Sequence, residues 1–263
     1  MSDTTAESNP EKNDVEKESE SGKMSFLDHL DELRKRLVHI AIYLAGGFLA
    51  CWYFSKQIYD FLAIPIVKSL PPGVKLAYTN PTDPFTLYMK VAMLAGVFLT
   101  LPLTLYEVWK FIAPGLYRKE KKYILPFILS SMILFLAGAS FCYMIILPSA
   151  FKFLIELGSS FTPMIRIDEY LDLTNTMLLG FGAIFEMPVI TAFLAIFGLV
   201  SARFLLKYFR YAIVVIVALA AIISPTQDAF NLVLWSAPML LLYLISIGVA
   251  ALFGWNRKRK GIV

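Results

Sequence analysis

Residues Tyr123 to Phe151 read YILPFILSSMILFLAGASFCYMIILPSAF, a stretch that contains no Asp, Glu, Lys or Arg. A second such stretch, AFNLVLWSAPMLLLYLISIGVAALFGWN, covers Ala229 to Asn256. An α-helix rises ~1.5 Å per residue, so about 20 residues cross the ~30 Å hydrocarbon layer of a bilayer, and each stretch is long enough. In a soluble core, apolar residues are interrupted by polar ones every few positions. These two windows place the chain among all-α membrane proteins.

The whole composition agrees. Hydrophobic residues make up 58% and charged residues 17%, below the roughly 25% charged residues of a soluble domain, and the mean hydropathy is +0.65. The formal charge of +4 conceals two unlike regions. Residues 1–23 carry seven acids and three bases with almost nothing to bury, which predicts a disordered acidic tail. That tail lacks the apolar run of a secretory signal and is too acidic for a transit peptide. The remainder is strongly basic, which points to anionic lipid headgroups as partners, and without a soluble domain nucleic acid is not expected. Cys51 and Cys142 fall in apolar segments and read as small buried hydrophobes rather than as a disulfide or metal pair.

Six crossings are expected within residues 24–256, followed by a basic tail at 257–263. Ser25 with Asp28 resembles a helix start, and Phe26, Leu30, Leu33 and Leu37 recur at helical spacing. This predicts an amphipathic surface segment that turns into the bilayer near Arg36, with the first crossing from about Leu37 to Ser55. A proline-rich loop over Lys56–Pro84 is long enough to cap the helices. The second crossing is expected over Phe85 to about Trp109 and the third from about Tyr123 to Pro148, joined by FIAPGLYRKEKK. A second long loop is expected over Ser149 to about Tyr170, and the two loops together form the cap. The fourth crossing runs from about Leu171 to Val200, the fifth from Tyr211 to Ile223, and the sixth from near Asp228. The fifth is short, ~20 Å of helix against ~30 Å of hydrocarbon, which implies local thinning or shielding by neighbours.

Orientation follows from Lys and Arg. With the N-terminus inside, the inner segments hold fourteen of them, at 34–36, 118–122, 203–210 and 257–260, against five in the outer loops, Lys56, Lys68, Lys75, Lys152 and Arg166. The positive-inside rule then puts both termini in the cytoplasm.

The chain contains no HExxH, GxSxG or phosphate-binding glycine loop, and its histidines are His29 and His39. No enzyme chemistry and no cofactor is indicated. Function is therefore sought in charges at or inside the membrane, where an ionisable residue is costly to bury. Glu186 stands midway along the fourth crossing, and Pro188 removes the N–H that would bond to the carbonyl of Ile184, so a kink and an open acceptor lie beside the carboxyl. This suits a polar pocket for a partner segment, with a structural carboxyl as the alternative. Asp228 reads as an acid at a helix N-terminus. Glu32 has Arg36 four residues on, a simple helical ion pair, and Glu120 sits in RKEKK, where a solvated turn is the plain reading. A kinked helix with a central carboxylate also suits a secondary transporter of a small solute.

Three separated motifs bring these residues together. HLDELRKRL (His29–Leu37), VWKFIAPGLYRKEKK (Val108–Lys122) and FGAIFEMPV (Phe181–Val189) resemble the signature stretches of the TatC family, the signal-peptide-receptor subunits of the twin-arginine protein translocase. The resemblance covers essentially everything after residue 24. It implies six helices, a receptor for signal peptides with two consecutive arginines, and TatA-like and TatB-like single-span partners. It further implies self-assembly in the bacterial inner membrane and export of folded proteins by the proton-motive force. Residue by residue, it assigns signal-peptide binding to Glu32, Arg34, Leu37, Phe111 and Glu120, and intramembrane polar roles to Glu186, Asp228 and Asn231. At this last position the family often has Gln.

Overall fold

The computed structural model describes residues 10–112, 124–223 and 228–259. Every regular element in them is a helix. The first, α1, runs unbroken over Pro10–Trp52. Expectation and structure differ here in two ways: the helix starts at Pro10 rather than Ser25, and it passes Arg36 without turning. Glu and Lys are good helix formers, and extending an existing helix avoids the penalty of nucleating one. From Met24 onward no proline interrupts the ladder, so no backbone bond need be broken at Arg36.

The first half of the first long loop is helical: α2 (Ser55–Leu62) and α3 (Ile64–Ser69). Relative to α1 this pair is bent by 86°. The next helix, α4, covers Asp83–Ile112 and runs antiparallel to α1. Its direction shows in the pairings, since Trp52 meets Phe85 with ring centroids 5.7 Å apart, while Arg36 reaches Glu107 near the other end. Midway, a Cβ on Gly47 would lie 2.8 Å from the Gly96 carbonyl oxygen, and one on Gly96 would lie 2.8 Å from the Phe48 nitrogen. Only glycines allow this approach, the usual device for close packing of membrane helices.

The third apolar stretch outlasts its expected end. After α5 (Ile124–Phe141) comes a single π-turn over Cys142–Ile146, and then α6 (Leu147–Leu157). Pro148 was expected to stop this helix. In the structure the Leu147 N–H bonds back to the Cys142 carbonyl, and this wider turn takes up the missing donor and ring of Pro148 while the helix continues. The second loop is correspondingly shorter. A parallel bridge ties it to the first loop: Ala77 donates to Ile165 and Ile167 donates to Ala77, both at 2.9 Å. Tyr170 donates its hydroxyl to the Leu62 carbonyl, and Tyr143 donates to that of Phe61 at 2.6 Å. These bonds, with α3 packed on α6, make the cap one unit.

The fourth stretch is α7 (Ile167–Ile184) and α8 (Met187–Ile196), broken at Phe185–Glu186 as the proline predicts. A short helix α9 (Ala202–Lys207) precedes α10 (Phe209–Ile223), which at 15 residues is the short apolar segment. The last helix, α11 (Ala229–Arg259), does not end before the basic residues but continues through Arg257 and Lys258 to Arg259. Four stretches are long and apolar enough to span a membrane, Asp83–Phe111, Leu125–Leu157, Ile167–Ile196 and Asn231–Leu252. The bent pair His29–Trp52 and Ser55–Ser69 makes a fifth if taken as one broken span. Both cysteines are buried and free.

Candidate functional site

Glu32, Arg36 and Glu107 form an ion network where α1 and α4 run side by side. Arg36 is the hub, its Nη2 donating to Glu32 Oε1 at 3.0 Å and its Nη1 donating to Glu107 Oε2 at 2.7 Å. The helical pair expected at positions 32 and 36 is therefore present, and a second carboxylate has joined it. The Glu107 side chain is 5% exposed and that of Glu32 is 30% exposed. Tyr43 donates its hydroxyl to Glu107 Oε1 at 3.4 Å, and His39 Nδ1 approaches that oxygen to 3.5 Å. The antiparallel course of α1 and α4 and the Gly47–Gly96 contact bring these groups into register.

One turn beyond Glu107, Phe111 stacks on His29 with ring centroids 4.6 Å apart and planes at 19°. Phe111 thus belongs to the Glu32 end of the bundle. Arg34 and Leu37 are exposed, Leu37 at 55%, on the outward side of α1. Glu120 lies outside the described residues, so its distance from Glu32 is not part of this geometry. Sequence reasoning passed over Glu107. The signal was available, since it is an ionisable residue inside the expected second crossing, two positions from its end.

Glu186 occupies a different place. It sits in the break between α7 and α8, half-buried, and its Oε1 is enclosed without a hydrogen-bond partner among the described residues. The Ser131 hydroxyl of α5 faces the carboxyl and accepts a bond from Trp109 Nε1 at 3.1 Å. Alongside lies an apolar cavity of about 340 Å³ lined by Pro126, Phe127, Ser130, Pro188, Val189 and Val249. Asp228 and Asn231 stand together at the start of α11. The Asp228 carboxylate accepts from the Asn231 backbone N–H and from its side-chain Nδ2, both at 2.9 Å. That is helix capping, the role an acid at this position was expected to take. Neither residue touches the Glu32 network. Among the described residues no group of three or more His, Cys, Asp or Glu side chains is placed to hold a metal ion.

Residues 28–238 match the family model described as "Sec-independent protein translocase protein (TatC)". The TatC protein of Koribacter versatilis is 50% identical over 240 residues, covering 90% of this chain and 89% of that protein. The TatC of Aquifex aeolicus is 38% identical and covers 91% of this chain and 99% of its own. A crystal structure of a "Twin Arginine Translocase Receptor- TatC" superposes with a TM-score of 0.76 at 37% identity, covering 86% of this chain and 99% of that one.

Proposed function

The chain belongs to the TatC family of Sec-independent protein translocase proteins, and from that premise we propose that it is the receptor for twin-arginine signal peptides. The observation that carries this reading is Glu32, a partly exposed carboxylate beside Phe111's end of α4 and amid the bases Arg34 and Lys35. An arginine guanidinium makes planar, paired hydrogen bonds to a carboxylate that an ammonium cannot reproduce. Glu120 supplies the second carboxylate, and Arg34, Leu37 and Phe111 complete the contact surface. The test is binding of matched Arg-Arg and Lys-Lys peptides to the purified protein and to Glu32→Gln, Glu120→Gln and the double variant. Each single change is expected to weaken Arg-Arg binding about tenfold, the loss of one charge-assisted hydrogen bond. A double variant that prefers Arg-Arg by the wild-type margin would place the arginine site elsewhere.

The chain is a multi-pass membrane protein. Within that description we infer a membrane domain over residues 24–256 with six crossings, α10 among them, and both termini in the cytoplasm of a bacterium whose inner membrane holds it. The skewed Lys and Arg distribution supports this reading. Cysteines placed at Lys119 and Lys207 are expected to label from the cytoplasm and one at Lys75 from the opposite side. Labelling of Lys75 and Lys119 from one side would remove the topology.

Glu186 and the adjoining apolar cavity are the proposed seat for the single span of a TatA-like or TatB-like partner. A carboxyl with an unpartnered oxygen gains a hydrogen bond when a polar residue of the partner arrives. Together with such partners, anionic lipid and further copies of itself, the chain exports folded cargo at the expense of the proton-motive force. Nothing among the comparisons favours a solute transporter.

A further inference from the structure

The receptor reading leaves Glu107 without a task, although it is the most deeply buried member of the ion network. Suppose Arg36 had Glu32 as its sole partner. The pair would then be neutral, and an incoming guanidinium would merely replace the one already on Glu32, gaining little. The exposed neighbours Arg34 and Lys35 would add repulsion. Glu107 changes this balance. It binds a different nitrogen of the same guanidinium and does so at the shorter distance, 2.7 Å against 3.0 Å. The three groups Glu32, Arg36 and Glu107 sum to one negative charge. Tyr43 contributes only a hydroxyl, and Lys110, a turn further along α4 and over the Tyr106 ring at 5.3 Å, acts on Glu107 through space without an ion pair, so Arg36 is the cation bonded to it. Glu107 itself is too buried for a peptide to reach, so it can act on a ligand only through Arg36.

We propose that Glu107 is a positioning residue for signal-peptide recognition: a buried counter-charge that holds Arg36 and leaves Glu32 a net anion for the peptide's arginine. The inference rests on Glu32 being part of the peptide site. An arginine-arginine dipeptide segment is the ligand class, and the property set by Glu107 is affinity for its charge.

The test compares binding of an Arg-Arg peptide to the full-length protein in wild-type form and as Glu107→Gln, Arg36→Gln/Glu107→Gln, Glu107→Asp and Glu32→Gln, with accumulation and thermal melting followed for each. Glu107→Gln is expected to lose about tenfold, as Glu32→Gln does, because Arg36 then neutralises Glu32. Arg36→Gln/Glu107→Gln restores one negative charge at Glu32 and is expected to bind within roughly threefold of the wild type, an offset typical of coupled sites. Glu107→Asp keeps the charge and keeps the binding even if the shorter side chain lowers the melting temperature. Wild-type affinity in Glu107→Gln would overturn the proposal. So would a double variant as weak as Glu107→Gln, since that pattern belongs to packing rather than charge, and so would weak binding by a folded Glu107→Asp. If Glu32→Gln binds like the wild type, the receptor reading itself fails, a result distinct from all of these.

Discussion

Two acids lie among the apolar helices, and their surroundings are opposite. Glu107 is 5% exposed and is matched by the Arg36 guanidinium, with a tyrosine hydroxyl and an imidazole beside it. Glu186 sits at a helix break, faces a serine hydroxyl, and keeps one enclosed oxygen without a partner among the described residues. The first acid is held by a counter-charge inside the fold, so removing that counter-charge strands it, while removing the acid itself frees Arg36 to neutralise Glu32. The second has no counter-charge among the described residues and stands two residues from Pro188 in a cavity wall, so its removal should be felt when a partner binds rather than when the chain folds. Burial alone does not say how a carboxyl acts; where the fold supplies the counter-charge it acts through that partner, as Glu107 does through Arg36, and where the fold supplies none it is left for an incoming group.

The contrast can be broken most sharply at Arg36. Arg36→Gln strands Glu107 as a buried uncompensated charge and should destabilise the protein by about 3–5 kcal/mol, seen as poor accumulation and a lower melting temperature. Stability recovered in Arg36→Gln/Glu107→Gln would show that charge balance, and not the arginine stem, was lost. Next comes the helix seam that sets the network in place. Gly96→Ala puts a Cβ 2.8 Å from backbone, and forcing α1 and α4 apart should cost about 1–3 kcal/mol, measured as a fall in melting temperature and as looser Arg36–Glu107 crosslinking.

Glu186→Gln should sharpen the other side of the comparison. With no ion pair to break, its stability is expected to change by less than about 1 kcal/mol, while export of a twin-arginine reporter and crosslinking from α8 to a single-span partner both fall. Unchanged export with intact crosslinking would return Glu186 to a purely structural role. The smallest effect belongs to Lys90–Asp172, an ion pair at 2.5 Å between α4 and α7 whose side chains are 34% and 57% exposed. Lys90→Ala should shift stability by about 0–1 kcal/mol, which calibrates the Arg36 result against a pair that water or headgroups can replace.

What could be read from the sequence was whatever depends on a residue's near neighbours. The kink at Glu186 was legible because Pro188 acts on the carbonyl four residues before it, and Asp228 was legible as a cap because capping spans three residues. Pro148 misled for a related reason. The proline removes a bond wherever it stands, but whether the chain stops or inserts a π-turn depends on what α6 packs against, and here Leu147, Ala150 and Phe151 are buried under the cap. The start of α1 at Pro10 is not marked in the sequence, because helix propensity and lack of burial pull the acidic residues in opposite directions. Glu120 was chosen on its resemblance alone.

The sequence by itself determined that the chain lives in a membrane, where its long apolar stretches lie, and which family signatures it carries. In hydrocarbon each helix must satisfy its own backbone, so length and apolarity of a segment suffice to declare it. Only the tertiary structure decided that Arg36 is shared between Glu32 and Glu107, partners 4 and 71 positions away, and that Gly47 lies on Gly96. Such contacts depend on the direction, depth and rotation of two helices against each other. Those are set by packing across the whole α1–α4 seam, and no local pattern in either helix contains them.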